Sequence, residues 1–180
     1  MKKTIWTFGL ISGAIMSVMM LATLPIMDRI GFDKGEVIGY TSMVAAFLLV
    51  YFGIRSYRDT VGGGAISFGR ALAIGALITT VASACYTATW EVIYYKITPD
   101  FATKFEQYSI DRARAQGKSE AEIAKMTADA EQFIESYKNP LYNSALTFLE
   151  PLPVGLMITL VSAGVLRRKR RREEPELNPA

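Results

Sequence analysis

The sequence predicts an all-α integral membrane protein, a four-helix bundle with an external helical hairpin between its third and fourth spans. Apolar residues make up 51% of the 180-residue chain, and they come in blocks rather than being spread along it. Four blocks approach or exceed the roughly 20 apolar residues that a bilayer span needs. Segments of this length satisfy their backbone polar groups in lipid only as helices. The predicted spans are about 5–27, 37–54, 68–96 and 146–166.

The first block begins after two lysines, as a secretory signal peptide does, but its apolar run is longer than the roughly 7–15 residues of such a signal. We therefore predict an uncleaved first helix. Gly9, Gly13 and Ser17 lie four residues apart, the pattern of small residues that lets helices approach closely in lipid. Packing inside the bundle is favoured over a dimer interface, because three partner helices are available. A short polar turn over 28–36 leads to the second span.

The third block, 68–96, is predicted to be a two-faced helix at the centre of the bundle. At about 100° per residue, small and polar side chains gather on one face and larger apolar ones on the other. We expect the first face to contact protein and the second to contact lipid. The first face holds Gly69, Ala73, Ala76, Thr80, Ser83, Thr87, Glu91 and Tyr94, and the second holds Ile74, Ile78, Val81, Cys85 and Val92.

Residues 98–142 form the longest polar segment, and they are predicted to be a helical hairpin. The sequence Thr98-Pro99-Asp100 favours a helix start, and Gly117 favours its end. Ser119, with Glu122 three residues later, has the spacing of a capping box for a second helix. Asn139-Pro140 ends that helix. One four-span domain is thus predicted over 1–172, followed by a disordered acidic tail over 173–180.

The distribution of charge predicts the orientation of the protein in the membrane. Four spans put both termini on one side, which holds eleven basic and four acidic residues, against nine and thirteen on the other. Cytoplasmic flanks carry the excess of lysine and arginine. We therefore expect cytoplasmic termini and an external segment 98–142. A basic run after the fourth span is predicted to fix this topology and to contact anionic lipids: Arg167, Arg168, Lys169, Arg170, Arg171 and Arg172.

The composition argues against several kinds of chemistry. With one cysteine, Cys85, and no histidine, the chain cannot form an internal disulfide, a usual Cys/His zinc site or a Cys/His catalytic pair. Gly62–Gly64 lack the lysine and serine of a phosphate-binding loop and predict a flexible connector. We expect a non-enzymatic protein with no cofactor and no nucleic-acid partner.

The predicted spans still hold one set of polar side chains with a possible function. A carboxylate within a membrane helix is costly unless it is neutralised, paired or hydrated. Glu91 lies near the outer end of the third span, and Glu150 could approach it to make a site for a cation or a proton. The alternative is structural, because hydroxyl groups in spans commonly bond to their own helix. The candidate polar track comprises Thr80, Ser83, Thr87, Glu91 and Glu150.

Four stretches carry a family resemblance: MKKTIWTFGLISGAI at the N-terminus, GGGAISFGRALAIG at the third span, YYKITPDF after it, and YKNPL with TFLEPLPVG before the fourth span. In this order they resemble the domain-of-unknown-function family 4199. The resemblance reaches from the first span to Arg168, and it implies a small bacterial inner-membrane protein of four spans with a helical insertion. It implies no active-site residues.

Two functions follow as expectations. The first is an accessory or interaction module whose external hairpin contacts its own bundle or a membrane-protein partner. The second is a small transporter or channel subunit that uses the polar track at Glu91, as a homo-oligomer because four helices enclose little pore. A water-filled cavity reaching Glu91 would favour transport, and a dry interface with Glu91 bonded to backbone or to a basic side chain would favour a structural role.

Overall fold

The computed structural model describes residues 1–168, apart from the side chain of Asp28, and it confirms the all-α fold. A 3₁₀ turn (Leu24–Ile26) joins the first two helices, and a π-helical turn (Ile93–Ile97) extends the third. Lys169–Arg172 and the predicted tail 173–180 lie outside the described residues. The helices are α1 (Lys2–Thr23), α2 (Met27–Thr60), α3 (Phe68–Val92), α4 (Phe101–Ala115), α5 (Glu120–Tyr137), α6 (Pro140–Leu149) and α7 (Leu152–Leu166).

Four segments are long and apolar enough to cross a membrane: Lys2–Ile26, Arg29–Thr60, Phe68–Ile97 and Pro140–Leu166. The second is much longer than the predicted 37–54, and the polar turn expected at 28–36 is wrong, because α2 already begins at Met27. Its backbone breaks only at Gly31, where φ is 74°. Apolarity marks the part of a helix that lipid surrounds, while the helix itself continues into the polar interface.

The fourth span is broken, whereas the sequence predicted one helix over 146–166. Pro140 lies in the first turn of α6, and the Asn139 side chain accepts hydrogen bonds from the backbone N–H groups of Leu141 and Tyr142. α6 ends at Leu149, and α7 begins two residues after Glu150. Pro151 interrupts the helix because proline has no N–H to donate. The span therefore consists of two half-helices, and the hairpin is correspondingly shorter than 98–142.

α3 occupies the centre of the bundle and contacts α1, α2, α6 and α7. The predicted division into a protein face and a lipid face is wrong, since Ile74 and Ile78 are fully buried. A helix with four neighbours buries several sides at once, which a two-sided pattern does not describe. After the exposed first turn of α3, its exposed residues form one narrow stripe: Ala73, Leu77, Thr80, Ala84, Ala88 and Val92.

Small residues of α1 pack against α3, inside the bundle as predicted. A Cβ atom on Gly9 would lie 2.7 Å from Cβ of Val81, and one on Gly13 would lie 2.5 Å from Cβ of Cys85. One turn later, Thr89 Oγ1 donates a hydrogen bond to Ser17 Oγ over 2.7 Å. These contacts confirm that the small-residue pattern packs α1 against α3 inside the bundle.

The hairpin packs back onto its own bundle. The capping box at Ser119 and Glu122 is present as predicted, while α4 begins at Phe101, after Pro99 rather than at it. We call the end of the bundle that carries the hairpin the hairpin end, and the opposite end, which carries the described termini, the basic end. At the basic end, Ile66 and Arg168 exchange two backbone hydrogen bonds of 3.1 and 2.9 Å.

Candidate ligand chamber at the hairpin end

A partly open chamber of about 410 Å³ lies between α1, α2 and α3, with the hairpin and the break in the fourth span beside it. Five of the eight methionines of the chain line it: Met16, Met19 and Met20 from α1, and Met27 and Met43 from α2. Methionine is flexible and polarizable, and it is common on surfaces that adapt to their ligand. Two carboxylates, Glu36 and Glu150, also line the chamber.

Aromatic rings from the hairpin and the bundle meet at this chamber. Phe32, one residue after the break at Gly31, packs against Phe101, Phe105 and Tyr108 of α4, with ring centroids 5.7, 5.4 and 5.0 Å apart. Phe101 also meets Trp90 of α3 edge to face at 4.9 Å. The break at Gly31 thus sets a ring of α2 where α4 can dock on it, and the docked rings form part of the chamber wall.

A chain of hydrogen bonds ties the second helix of the hairpin to α3 and α6. Trp90 Nε1 donates to the Tyr137 hydroxyl oxygen over 3.0 Å, so that hydroxyl uses its own hydrogen toward Thr147 Oγ1, 3.2 Å away. Thr147 in turn donates to Asn143 Oδ1 over 3.2 Å. Burial raises the pKa of Tyr137, which keeps the hydroxyl protonated as the chain requires. α5 is thereby fixed beside the chamber.

Glu150 is the carboxylate that the break in the fourth span brings to the chamber. It follows the last residue of α6 and precedes Pro151, which is completely buried. The Tyr86 hydroxyl of α3 donates a hydrogen bond of 3.0 Å to Glu150 Oε2. Glu36 of α2 lines the same chamber. Two carboxylates thus share one largely apolar space.

The structure does not bring the predicted polar track together as one site. Glu91 Oε1 accepts a hydrogen bond of 2.8 Å from Ser144 of α6, and Glu91 is not among the chamber's lining residues. Glu150 has Tyr86 as its partner instead. Residues 86 and 91 are about 140° apart around a helix, so Glu91 and Tyr86, the partner of Glu150, lie on different faces of α3. Glu91 therefore has a serine hydroxyl as its partner, rather than the backbone or basic side chain expected for a structural role.

The hydroxyl groups of the track have local partners, with one exception. Thr80 Oγ1 donates to the carbonyl oxygen of Ala76, and Thr87 Oγ1 to that of Ser83, both over 2.9 Å. Thr80 lies on the exposed stripe of α3, while Ser83 is fully buried with no partner for its Oγ in the described part of the chain. Bonds to a helix's own carbonyls are what membrane spans commonly make, so these residues form no continuous path.

A second, open groove of about 1000 Å³ lies at the basic end, beside the start of α3. Arg70, Arg167 and Arg168 line it. Ser67 caps the helix there, accepting from the backbone N–H of Arg70 over 3.4 Å. Arg167 and Arg168, the described residues of the predicted lipid-contacting run, therefore line the same groove as Arg70 of the third span.

The family model described as "Protein of unknown function (DUF4199)" matches residues 7–168. The chain belongs to this family. No curated protein and no solved structure matches the chain. The DUF4199 match includes the four spans almost entirely, the hairpin and every residue that lines the chamber.

Sequence reasoning missed the chamber of this DUF4199 protein. Its methionines lie within apolar blocks on two helices, where they are typical of any span. Glu36 was assigned to a turn and Tyr86 to no role. One feature pointed to the site in retrospect, because proline-interrupted spans mark binding sites in membrane proteins, and Pro151 and Pro153 follow Glu150 directly.

Proposed function

We propose that this DUF4199 protein is a non-enzymatic membrane protein that binds a small ligand in the chamber at its hairpin end. The observation that carries the proposal is the break in the fourth span, which exposes the Glu150 carboxylate to a chamber lined by methionines and aromatic rings. A fully apolar fourth span would avoid the free-energy cost of placing a carboxylate in a membrane helix. Glu150 lies inside the fourth candidate span, Pro140–Leu166, and a carboxylate within a membrane span is a functional candidate by default.

The dimensions of the chamber support ligand binding. Small-molecule sites in proteins are concave, mostly apolar spaces of about 300–1,000 Å³ with a few well-placed polar groups, and this chamber has about 410 Å³ with two carboxylates. Membrane transporters build their substrate sites at broken helices. Transport, the second role expected from the sequence, would then depend on Glu150 rather than on Glu91.

The contacts of the hairpin favour a covering role over a partner-binding role. The inner aromatic side of α4 is occupied by Phe32, and Arg112 of α4 pairs with Asp33 of α2 over 2.6 Å. An interaction module of the kind expected from the sequence would offer a partner the outer side of the hairpin, where Phe105 and Phe133 are about half exposed among charged side chains. We therefore place the accessory role second, and we assign the hairpin to the closure of the chamber.

We further propose that the protein resides in a bacterial inner membrane with its basic end in the cytoplasm. The supporting observation is the cluster of Arg70, Arg167 and Arg168 at one end, since lysine and arginine mark cytoplasmic flanks. With Cys85→Ala as the background, Lys118→Cys should react with a membrane-impermeant maleimide on intact cells, and Lys2→Cys should not. The reverse labelling would overturn the orientation.

The chamber can be filled without disturbing its walls, which provides the main test. Gly39 lines the chamber, and a Cβ added there meets nothing within 4 Å. Gly39→Phe should therefore place a ring in open space, and Gly164→Phe in α7, where the added Cβ is equally unobstructed, is the matched control. Both proteins would be purified from native membranes in mild detergent, and their co-purifying small molecules identified by mass spectrometry.

We expect at least one small molecule that accompanies the wild type and the Gly164→Phe protein but is lost from Gly39→Phe. Thermal unfolding should show that both variants remain folded, because helical glycine is disfavoured relative to most residues. An identical set of co-purifying molecules in all three proteins would refute ligand binding in the chamber.

A further inference from the structure

We propose that the ligand of this chamber is an amphipathic organic cation: an ammonium-type head group on an apolar body. This inference rests on the proposed function and deepens it by naming the class of ligand. Three properties of the chamber carry it, namely its charge, its aromatic rings and its apolar wall.

The charge of the chamber favours a cation. Glu36 and Glu150 line it, and no lysine or arginine is among its described lining residues. The ion pair of Arg112 with Asp33, which joins the hairpin to α2, involves no lining residue of the chamber. Both side chains are solvent-exposed where they line the chamber, so their like charges attract a cation and repel an anion at its mouth.

The aromatic rings favour an organic head group over a bare ion. Tyr40, Tyr86 and Trp90 from the bundle line the chamber together with Phe101 and Tyr137 from the hairpin. The faces of such rings attract quaternary ammonium groups, and tryptophan does so most strongly. A metal ion would need more ligands than two carboxylates, and the described residues hold no group of three acidic, cysteine or histidine side chains that could bind one.

The methionines provide the surface for the rest of the ligand. Met16, Met19 and Met20 of α1 and Met43 of α2 offer unbranched, polarizable side chains that adjust to an apolar body. Met43 is almost fully buried, so it forms part of the fixed floor. A site for an anionic lipid would instead have arginine or lysine side chains beside its apolar wall, because the head group of such a lipid is negatively charged.

The test uses the tetraphenylphosphonium cation and the tetraphenylborate anion, which have the same shape and opposite charge. Trp6 and Trp90 are the two tryptophans of the chain, and only Trp90 lines the chamber. In a Trp6→Phe background in non-ionic detergent, Trp90 fluorescence therefore reports on the chamber. We expect saturable binding of the cation, at least about tenfold weaker binding of the anion, and loss of cation binding in Gly39→Phe.

The carboxylates are tested by neutral variants of the same shape. Glu150→Gln should weaken cation binding by about tenfold or more, while Glu91→Gln, whose carboxylate has Ser144 as its partner outside the chamber, should leave it unchanged. Should Glu150→Gln fail to fold, Glu36→Gln at an exposed position makes the same test with a smaller loss expected.

Two results would overturn the inference. Equal or tighter binding of the anion, or cation binding that Glu150→Gln and Glu36→Gln both leave intact, would show that charge does not select the ligand. Ligand binding in the chamber would then still stand if the Gly39→Phe protein loses its co-purifying molecule. If that molecule is retained, the proposed function fails independently of the class of ligand.

Discussion

Phe32 is predicted to hold the hairpin on the bundle. Its ring contacts three rings of α4, those of Phe101, Phe105 and Tyr108, at centroid distances of 5.0–5.7 Å. An aromatic pair contributes about 0.5–1.5 kcal/mol beyond the area it buries. Because three neighbouring pairs are not fully additive, we expect Phe32→Ala to lower the free energy of hairpin opening by about 2–3 kcal/mol.

The ion pair between α4 and α2 adds little to the docking of α4, which would then depend mainly on the contact of Phe101 with Trp90 of α3. Arg112 and Asp33 are both more than half exposed, and exposed ion pairs contribute only about 0–1 kcal/mol. Once undocked, α4 has 15 residues, a length at which an isolated helix is only marginally stable in water. Undocking should therefore expose its backbone amides to solvent exchange.

Hydrogen–deuterium exchange of the protein in nanodiscs measures this opening. Since 1.4 kcal/mol is a factor of ten, amides of α4 should exchange about 30- to 150-fold faster in Phe32→Ala, with the spans unchanged. Phe68→Ala is the matched control, because Phe68 lies at the basic end and is 40% exposed. Wild-type exchange across α4 in Phe32→Ala would refute the reasoning, as would an equal increase in every helix, which would indicate global destabilisation.

The crossing of α3 and α7 and the start of α5 give two further predictions. Gly155→Ala should destabilise the bundle by about 1–3 kcal/mol by overpacking, because its Cβ would lie 2.4 Å from a methyl carbon of Thr79. The control, Gly164→Ala, should be neutral or stabilising. Equal midpoints of the two variants in detergent-induced unfolding would contradict this. Ser119 donates to the Glu122 carboxylate and lowers its pKa, so the stabilisation of α5 should be complete at neutral pH and lost as the pH falls through that lowered pKa. Amide exchange of the first turn measures it, and Glu122→Gln should remove the pH dependence; a wild-type turn insensitive to acid would contradict it.

The four spans were predictable because each depends on local properties of the chain. A run such as 68–96 must be helical in lipid whatever its neighbours are, since its backbone has no other partner. The capping box of Ser119 and Glu122 is similarly local, because both residues belong to one helical turn. Gly9 and Gly13 were assigned correctly to internal packing, because three partner helices made close approach inside the bundle the simpler outcome.

The pairing of Glu91 with Glu150 was not realised because it depended on how two helices are rotated. Glu91 faces Ser144 of α6, while Glu150 faces Tyr86, which points to another side of α3. Periodicity places a residue on one side of its own helix, but it does not say which neighbour stands there. α3 has four neighbours, and this is also why its assignment to one protein face and one lipid face was wrong.

The sequence by itself determined what each segment of this protein must be: four apolar helices, a capped polar hairpin and an arginine-rich end. Lipid and local hydrogen bonding dictate these, and both act within a few residues. Only the tertiary structure decided that Pro151 leaves Glu150 beside Tyr86, and that five methionines from two helices face one chamber. A cavity exists only between elements, because it is the space that packed helices leave unfilled, so no single helix carries its pattern.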